Sequence, residues 1–567
     1  MINYQIVTLR DLLQRSYEQH ASRPALSFVG QNPITYRDAG DMALKIITFL
    51  YDNGIKKGDR VALLSQNMPN WGIAYLAITA AGAVVVPILV DFSEAELNKI
   101  LAHSEAKGIF VSEKLAVKLD TGLPSCLKFA VQLDNFSPFD LESWKSLKKF
   151  IPIGSFDEAK TGFDSNHIAL SSDDLAAILY TSGTTGNPKG VMLSHGNLVS
   201  NAVNTMGIQE VNSQDRLLSV LPLPHTYECT IGFLIPFMTG ATVFYLEKLP
   251  TASVLLPALK EVKPTMMLTV PLIMEKIYNL QVKPKLTKSA FMRFLLMAPF
   301  IRKLLHKLAG KKIYRAFGGS LHFYGIGGAK LSADTERFLR DAGFPYAIGY
   351  GLTETAPLLA GCAPSITRFQ STGISLPNQQ IKILNPDPNT GEGEIVAKGP
   401  NIMLGYYKDP VQTAEVFTQD GWFKTGDLGV IDKQGFVYIK GRLKNMILGP
   451  SGENIYPEEI ESLINNDDLV LESLVYELKG NLVAKVHLNY EELEKRYNVL
   501  KLSAQEWKVE MNKIVDKKLH DIRERVNGTI SKFSRISSVE EQPLPFEKTP
   551  TQKIKRFLYS KPENSKK

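Results

Sequence analysis

The chain has 567 residues, more than one hydrophobic core ordinarily serves, so two or more domains are expected. Its 44% hydrophobic and 22% charged residues are the composition of a soluble globular protein, and its net charge of +7 permits anionic ligands or a membrane surface without pointing to nucleic acid. Three scattered cysteines, Cys126, Cys229 and Cys362, lack CxxC spacing, which argues against disulfides and zinc and for a reducing, cytoplasmic compartment.

The first residues, MINYQIVTLRDLL, lack the basic start and apolar stretch of a signal peptide. Residues 37–50 read as a helix, 59–64 as a strand, 70–81 as a helix and 83–89 as a strand. The most apolar stretch, 71–90, is alanine-rich and contains Pro87, which suits a buried helix running into a strand better than a membrane span. This βαβ rhythm runs from residue 9 to about 440 and implies a largely parallel sheet with helices on its faces. Residues 380–440 are strand-rich, with turn signals at 385–388, 390–393 and 433–435, as in an antiparallel subdomain.

Within that region the run YTSGTTGNPKG at 180–190 holds three glycines, four aliphatic hydroxyls and one lysine. Glycines let backbone N–H groups turn inward, hydroxyls add donors and a lysine adds positive charge, which together suit a polyphosphate. The spacing is not that of a Walker A loop, and the apolar flanks 176–180 and 191–193 read as strands. The loop is therefore either a strand-to-strand phosphate cradle or a flexible hairpin tip. Residues 283–315 are basic and rich in Leu, Phe and Met, and Pro299 divides them into two short helical pieces. They read first as a surface helix pair packing its apolar stripe on the body; the alternative is an interfacial helix on an anionic bilayer. Beyond residue 441, charged helical text at 454–463 and 492–526, with strand-like runs either side of Gly480, describes a small α+β unit.

Further motifs follow in order: GIGGAK at 325–330, GYGLTET at 349–355, GWFKTGD at 421–427, GRLK at 441–444 and TPTQKIKR at 549–556. In order and spacing the set resembles the acyl-adenylate-forming enzymes: acyl-CoA synthetases, luciferases and nonribosomal-peptide adenylation domains. The resemblance covers almost the entire chain. It implies an α/β fold, with a large N-terminal domain of parallel-sheet βα layers plus an antiparallel β subdomain (1–440) and a small mobile α+β C-terminal domain (441–567).

The resemblance also implies roles. Lys189, with Thr181, Ser182, Thr184 and Thr185, would hold the β- and γ-phosphates of ATP, while Gly183 and Gly186 allow close backbone approach. Gly327, Gly328 and Ala329 offer a side-chain-poor edge to the adenine, and Tyr350, followed by Gly351, a stacking face; taken alone, Tyr350 is equally an ordinary buried aromatic. Thr353 would donate to the α-phosphate. Glu354 beside phosphates calls for a bridging Mg²⁺, the other reading being a helix cap. Asp427 suits the two ribose hydroxyls, with Arg442 adding a donor, although a lone Asp after Gly is more often a turn residue. Lys444 matches the hinge about which the C-terminal domain swings. Lys553 would reach the substrate carboxylate and the α-phosphate, where a preorganised cation lowers the barrier. Alone it would be a solvated lysine of a basic tail, and Gln552 stands where the family commonly has glycine.

LPLPHTYE at 221–228, IGFLIPFM at 231–238 and TVPLIMEKIY at 269–278 resemble the long-chain branch of acyl-CoA synthetases. His225 lies either near the carboxylate or in the core as a hydrogen-bonded histidine. The apolar runs would line an acyl tunnel. The implied activity is ATP-dependent conversion of a long-chain fatty acid to acyl-adenylate, then transfer to CoA. Acyl-carrier-protein synthetases and fatty-acyl-AMP ligases share the first step, and a non-catalytic acyl-nucleotide sensor is a reading of another class. The expected partners are fatty acid, ATP and CoA, with no nucleic acid and a peripheral membrane contact at the inner face through 283–315 under the interfacial reading.

Overall fold

The helix Pro69–Ala80 is apolar on every side, and all its residues but Asn70 are buried. Only an element enclosed between two layers satisfies such a sequence. In the computed structural model, which describes residues 6–119, 123–147, 149, 151–156, 158, 162–163, 168–182, 188–449, 453–497, 504–549 and 553–560, this helix lies between two sheets. One core cluster joins Trp71 and Ile73 of the helix to Val61, Val85 and Val191 of one sheet and to Leu26, Leu217 and Leu268 of the other.

Among the described residues the first sheet has eight strands. Its centre is parallel: Leu175–Ser182, Val84–Ile88, Arg60–Leu64, Gly108–Val111 and Phe129–Gln132 are neighbours in that order. Alternation along Val84–Ile88 is the expected two-residue period: Val85 enters the cluster between the sheets, whereas Val84, Val86 and Ile88 join the cluster on the outer face. The second sheet has seven strands, parallel from Tyr346–Ile348 through Phe323–Ile326, Met266–Thr269, Arg216–Ser219 and Thr242–Tyr245 to Pro24–Phe28. The strands Gln380–Leu384, Gly393–Lys398, Phe423–Ile431 and Val437–Arg442 form an antiparallel sheet, as the turn signals predict. The last of these carries past residue 440 to Arg442.

The phosphate-loop candidate is flanked by the antiparallel strands Leu175–Ser182 and Pro188–Ser194, with Thr181 opposite Lys189. Toward the C-terminus, Val470–Leu478 and Asn481–Leu488 pair around Gly480, whose φ of +78° fits the tight turn, and Ser538–Glu541 adds a parallel strand.

Three boundaries differ from expectation. Residues 283–315 form not two pieces but the helices Lys283–Leu286, Ala290–Met297 and Pro299–Ala316. Pro299 opens the last of them, where a missing N–H costs nothing, and the additional break falls at Ser289, whose hydroxyl caps Met292 N–H. The helix expected from 454 begins at Pro457, because Asn454–Ile455 pairs with Ile447–Leu448. The helical text at 492–526 is two helices, Tyr490–Tyr497 and Ala504–Asn527. Among the described residues no helix is long and apolar enough to cross a membrane.

Candidate active site

The glycine-rich motifs sit where parallel strands of the second sheet end. Gly327 follows Phe323–Ile326, and its N–H donates to the Thr269 carbonyl at 3.1 Å. A Cβ at Gly327 would lie 3.1 Å from the Tyr227 ring, and one at Gly325 would lie 3.0 Å from the Tyr227 hydroxyl. Tyr227 thus keeps Gly327 small, and at Gly325 it shares that role with Leu268, whose Cδ2 would lie 2.8 Å from the Cβ. Gly328 turns the chain at φ +85°, and Gly328 and Ala329 are exposed, leaving a bare edge. Gly351 is required by a closer approach: a Cβ there would lie 1.9 Å from the Pro357 carbonyl oxygen.

Next to this edge stands a polar cluster. Asp427 faces Arg442 across the antiparallel pair, with Arg442 Nε 2.8 Å from Asp427 Oδ1. The Tyr350 hydroxyl donates to Asp427 Oδ2 at 2.8 Å, and both Tyr350 and Asp427 are buried. Burial raises the Asp427 pKa, and the guanidinium recovers only part of that shift. Burial, then the Asp427 charge, holds the Tyr350 phenol well above its usual range. Thr353 and Glu354 lie on the short turn Thr353–Thr355, and Glu354 Oε1 accepts a hydrogen bond from the Tyr406 hydroxyl at 3.0 Å. Tyr406 comes from Gly405–Tyr406, which pairs with the strand carrying Lys189, and the Lys189 ammonium stands 5.5 Å from its ring centroid.

Lys553 belongs to the C-terminal unit yet reaches this cluster. It is solvent-accessible as a residue, but protein surrounds its charged end on enough sides to lower its pKa. Arg442 pushes it down further, while Asp427 and Glu354 pull it back. The His225 pKa is pushed down to about 4, first by desolvation and then by the Lys553 charge, so its ring is neutral at pH 7. By surface area His225 is half-buried.

Of the residues predicted from sequence, the structure brings together His225, Glu354, Tyr350, Asp427, Arg442 and Lys553, with Lys189 joined through Tyr406. Thr181 lies half-buried on the strand opposite Lys189. Ser182 ends that strand; its side chain, and Gly183, Thr184, Thr185 and Gly186, lie outside the described residues. Lys444 is exposed on the turn Leu443–Asn445 just after Arg442. Two residues escape sequence reasoning. Tyr406 lies in none of the motifs, and Tyr227 lies inside the LPLPHTYE run at 221–228, which gives it no role of its own. The run 231–238 packs as core: Phe233 meets Trp71, and Phe237 meets Tyr36 and Phe233.

The AMP-binding enzyme family matches residues 13–407, well over half of the sequence. This chain belongs to the AMP-binding enzyme family. The long-chain-fatty-acid–CoA ligase 1 of Cavia porcellus is 30% identical over 97% of this chain and 84% of that protein. The chloroplastic long-chain-fatty-acid–[acyl-carrier-protein] ligase AEE15 of Arabidopsis thaliana is also 30% identical, over 80% of this chain and 72% of its own. Among solved structures, ATP-bound MatB from Rhodopseudomonas palustris superposes with a TM-score of 0.73 at 23% identity, covering 97% of this chain and 98% of that one, which supports the fold. As a member of the AMP-binding enzyme family the chain is an acyl-activating, AMP-forming ligase.

Proposed function

We propose that this AMP-binding enzyme activates a long-chain fatty acid with ATP and transfers the acyl group to CoA. The observation that carries the reading is the approach of Lys553, from the C-terminal unit, to Glu354, Asp427, Arg442 and His225. A catalyst of carboxylate adenylation needs that arrangement: a cation beside the reacting phosphate, framed by the carboxylates that hold sugar and metal.

In this reading the fatty-acid carboxylate, ionised at pH 7, is the nucleophile. Its oxygen attacks the α-phosphorus, the α–β bond breaks, and pyrophosphate leaves. Lys189 and the loop that follows Thr181 and Ser182 hold the departing phosphates. The edge of buried Gly327 and exposed Gly328 and Ala329 receives the adenine, and the Tyr350–Gly351 strand flanks it. Asp427 binds the ribose: a carboxylate has about four acceptor positions, and Arg442 and Tyr350 use two of them. Lys553 neutralises charge between the carboxylate and the α-phosphate. Thr353 and Glu354 offer oxygen donors only, the set that suits Mg²⁺ shared with phosphates. Bound there, Mg²⁺ would neutralise phosphate charge.

The thiol of CoA then attacks the acyl carbon, the acyl–phosphate bond breaks, and AMP leaves as a thioester forms. We read Lys444 as the pivot about which the 441–567 domain swings between the two steps, withdrawing Lys553 so that one site serves both. With 231–238 packed as core, the segment 269–278 is left to supply the acyl environment, where each buried methylene contributes roughly 0.8 kcal/mol.

Pyrophosphate release measured over fatty acids of graded length, with and without CoA, tests the reading. The expected result is a preference for long chains and AMP release that requires CoA. Acyl-AMP that accumulates whatever the CoA concentration would overturn the CoA step. The second reading, a carrier-protein acceptor, rests on the name of the Arabidopsis relative. It would be favoured if holo-carrier protein, but not CoA, discharged the adenylate.

A further inference from the structure

The segment 283–315 was expected to pack its apolar stripe on the body, and it does the reverse. Phe291, Phe294, Met297 and Phe300 are 68%, 68%, 77% and 81% exposed, and Leu304 and Leu308 are more than half exposed. The arrangement is not loose. The helix Pro299–Ala316 is pressed to the body by its opposite face, where His306, Gly310 and Ile313 are buried. A Cβ on Gly310 would lie 2.4 Å from the Ala342 Cβ, and Arg302 and His306 hold Asp341 at 2.8 and 3.0 Å. A fixed helix thus directs Phe300, Leu304 and Leu308 outward, one turn apart, and the preceding helix Ala290–Met297 adds Phe291, Phe294 and Met297 beside them.

The same segment concentrates the charge of the molecule. Residues 283–315 contain ten Lys or Arg and no Asp or Glu, so the net charge of +7 for the chain becomes −3 without them. Lys303, Lys307 and Lys311 are exposed and follow Phe300, Leu304 and Leu308 by three residues each, which sets a basic edge along the apolar stripe.

We propose that this face docks on an anionic lipid bilayer, with the three phenylalanines and Met297 entering the headgroup–acyl boundary. Lysine stems lie along the apolar surface while their ammonium groups reach lipid phosphates. Exposed apolar patches on a soluble body mark an interaction surface, and the charge selects the partner. A second copy of the chain would bring the same basic edge of Lys303, Lys307 and Lys311 against itself, which opposes a symmetric contact. The inference rests on exposure and charge and stands apart from the substrate reading.

Flotation of the full chain with phosphatidylcholine vesicles, with and without phosphatidylglycerol, tests it. The full chain should float with the anionic vesicles and far less with the neutral ones, and added salt should release it. The triple variant Phe291→Ser, Phe294→Ser, Phe300→Ser and the triple variant Lys303→Gln, Lys307→Gln, Lys311→Gln should each lose binding by about tenfold or more. Because all six side chains are exposed, both variants should keep the melting temperature of the parent. Anionic vesicles that fail to carry the full chain, or that carry the variants equally well, would overturn the proposal. So would a dimer in light scattering that dissociates only in the phenylalanine variant.

Discussion

At the scale of single residues, two desolvated titratable groups make opposite demands on pH. Lys553 is held below the free lysine value of 10.5 by desolvation and by Arg442, so its ammonium loses its proton at a lower pH than a solvated lysine. If it stabilises the adenylation transition state, Lys553→Ala should lower ATP–pyrophosphate exchange by roughly 10²–10³-fold. Lys553→Arg should be slower than the parent at neutral pH but lose the fall in exchange on the alkaline side, since a guanidinium stays charged there. Identical alkaline limbs in the two proteins would remove the lysine from the chemistry. Glu228 behaves in the other sense. It lies buried in the helix Tyr227–Leu234, its Oε2 lacks a hydrogen-bond partner among the described residues, and burial pushes its pKa up to about 8. The folded chain therefore binds more protons than the unfolded one between pH 4.5 and about 8. Stability is greatest below that window and falls as pH rises through it, by an amount on the order of a few kcal/mol. Glu228→Gln should flatten this slope, so that the variant melts above the parent at pH 9; parallel melting curves from pH 5 to pH 9 would count against a protonated Glu228.

At the scale of elements, the strand Tyr350–Gly351 is the tightest constraint on the site. It pairs with Leu358–Gly361 so closely that a methyl group on Gly351 would meet backbone, not a movable side chain. Gly351→Ala should therefore cost about 1–3 kcal/mol and displace Tyr350 from Asp427. A thermal melt would show the loss, and nucleotide titration would show weakened ATP binding. An Ala variant that melts and binds like the parent would mean that the strand can shift at little cost. Tyr406 teaches a related lesson. Its two-residue strand joins the edge of the eight-stranded sheet beside Lys189 and also holds Glu354, so one short element sets the spacing between the Lys189 ammonium and the Glu354 carboxylate.

At the scale of the whole molecule, the two units meet in the arrangement that places Lys553 in the cleft. Tyr456 donates to Glu392 at 2.7 Å, Lys330 pairs with Glu459 at 3.3 Å, and Lys283 donates to the Asn466 carbonyl at 3.0 Å. These contacts are polar and partly exposed, as the proposed swing of the C-terminal domain requires. A proline introduced into the turn Leu443–Asn445 would fix φ and resist rotation there. Lys444→Pro should leave pyrophosphate exchange within a few-fold of the parent while thioester formation falls by about tenfold or more. Equal loss of both half-reactions would argue against a swing about this residue.

The chain order of helices and strands was legible because burial on both faces writes continuous apolar runs, as in Val84–Ile88, and because enclosure between sheets writes an all-apolar helix, as in Pro69–Ala80. The glycine motifs were legible for a related reason: backbone freedom and close approach are properties of the residue itself. Sequence could not give the partners. Tyr350 and Asp427 lie 77 residues apart and Tyr406 and Glu354 52 apart, and these pairs exist only once separate sheets are in register. Nor could it give the direction of an amphipathic face. The spacing of Phe300, Leu304 and Leu308 defines a stripe equally well whether it points in or out. Gly310 against Ala342, and Asp341 beneath Arg302 and His306, turned it outward, because small residues and a buried charge pair fix which side of the helix is pressed to the body.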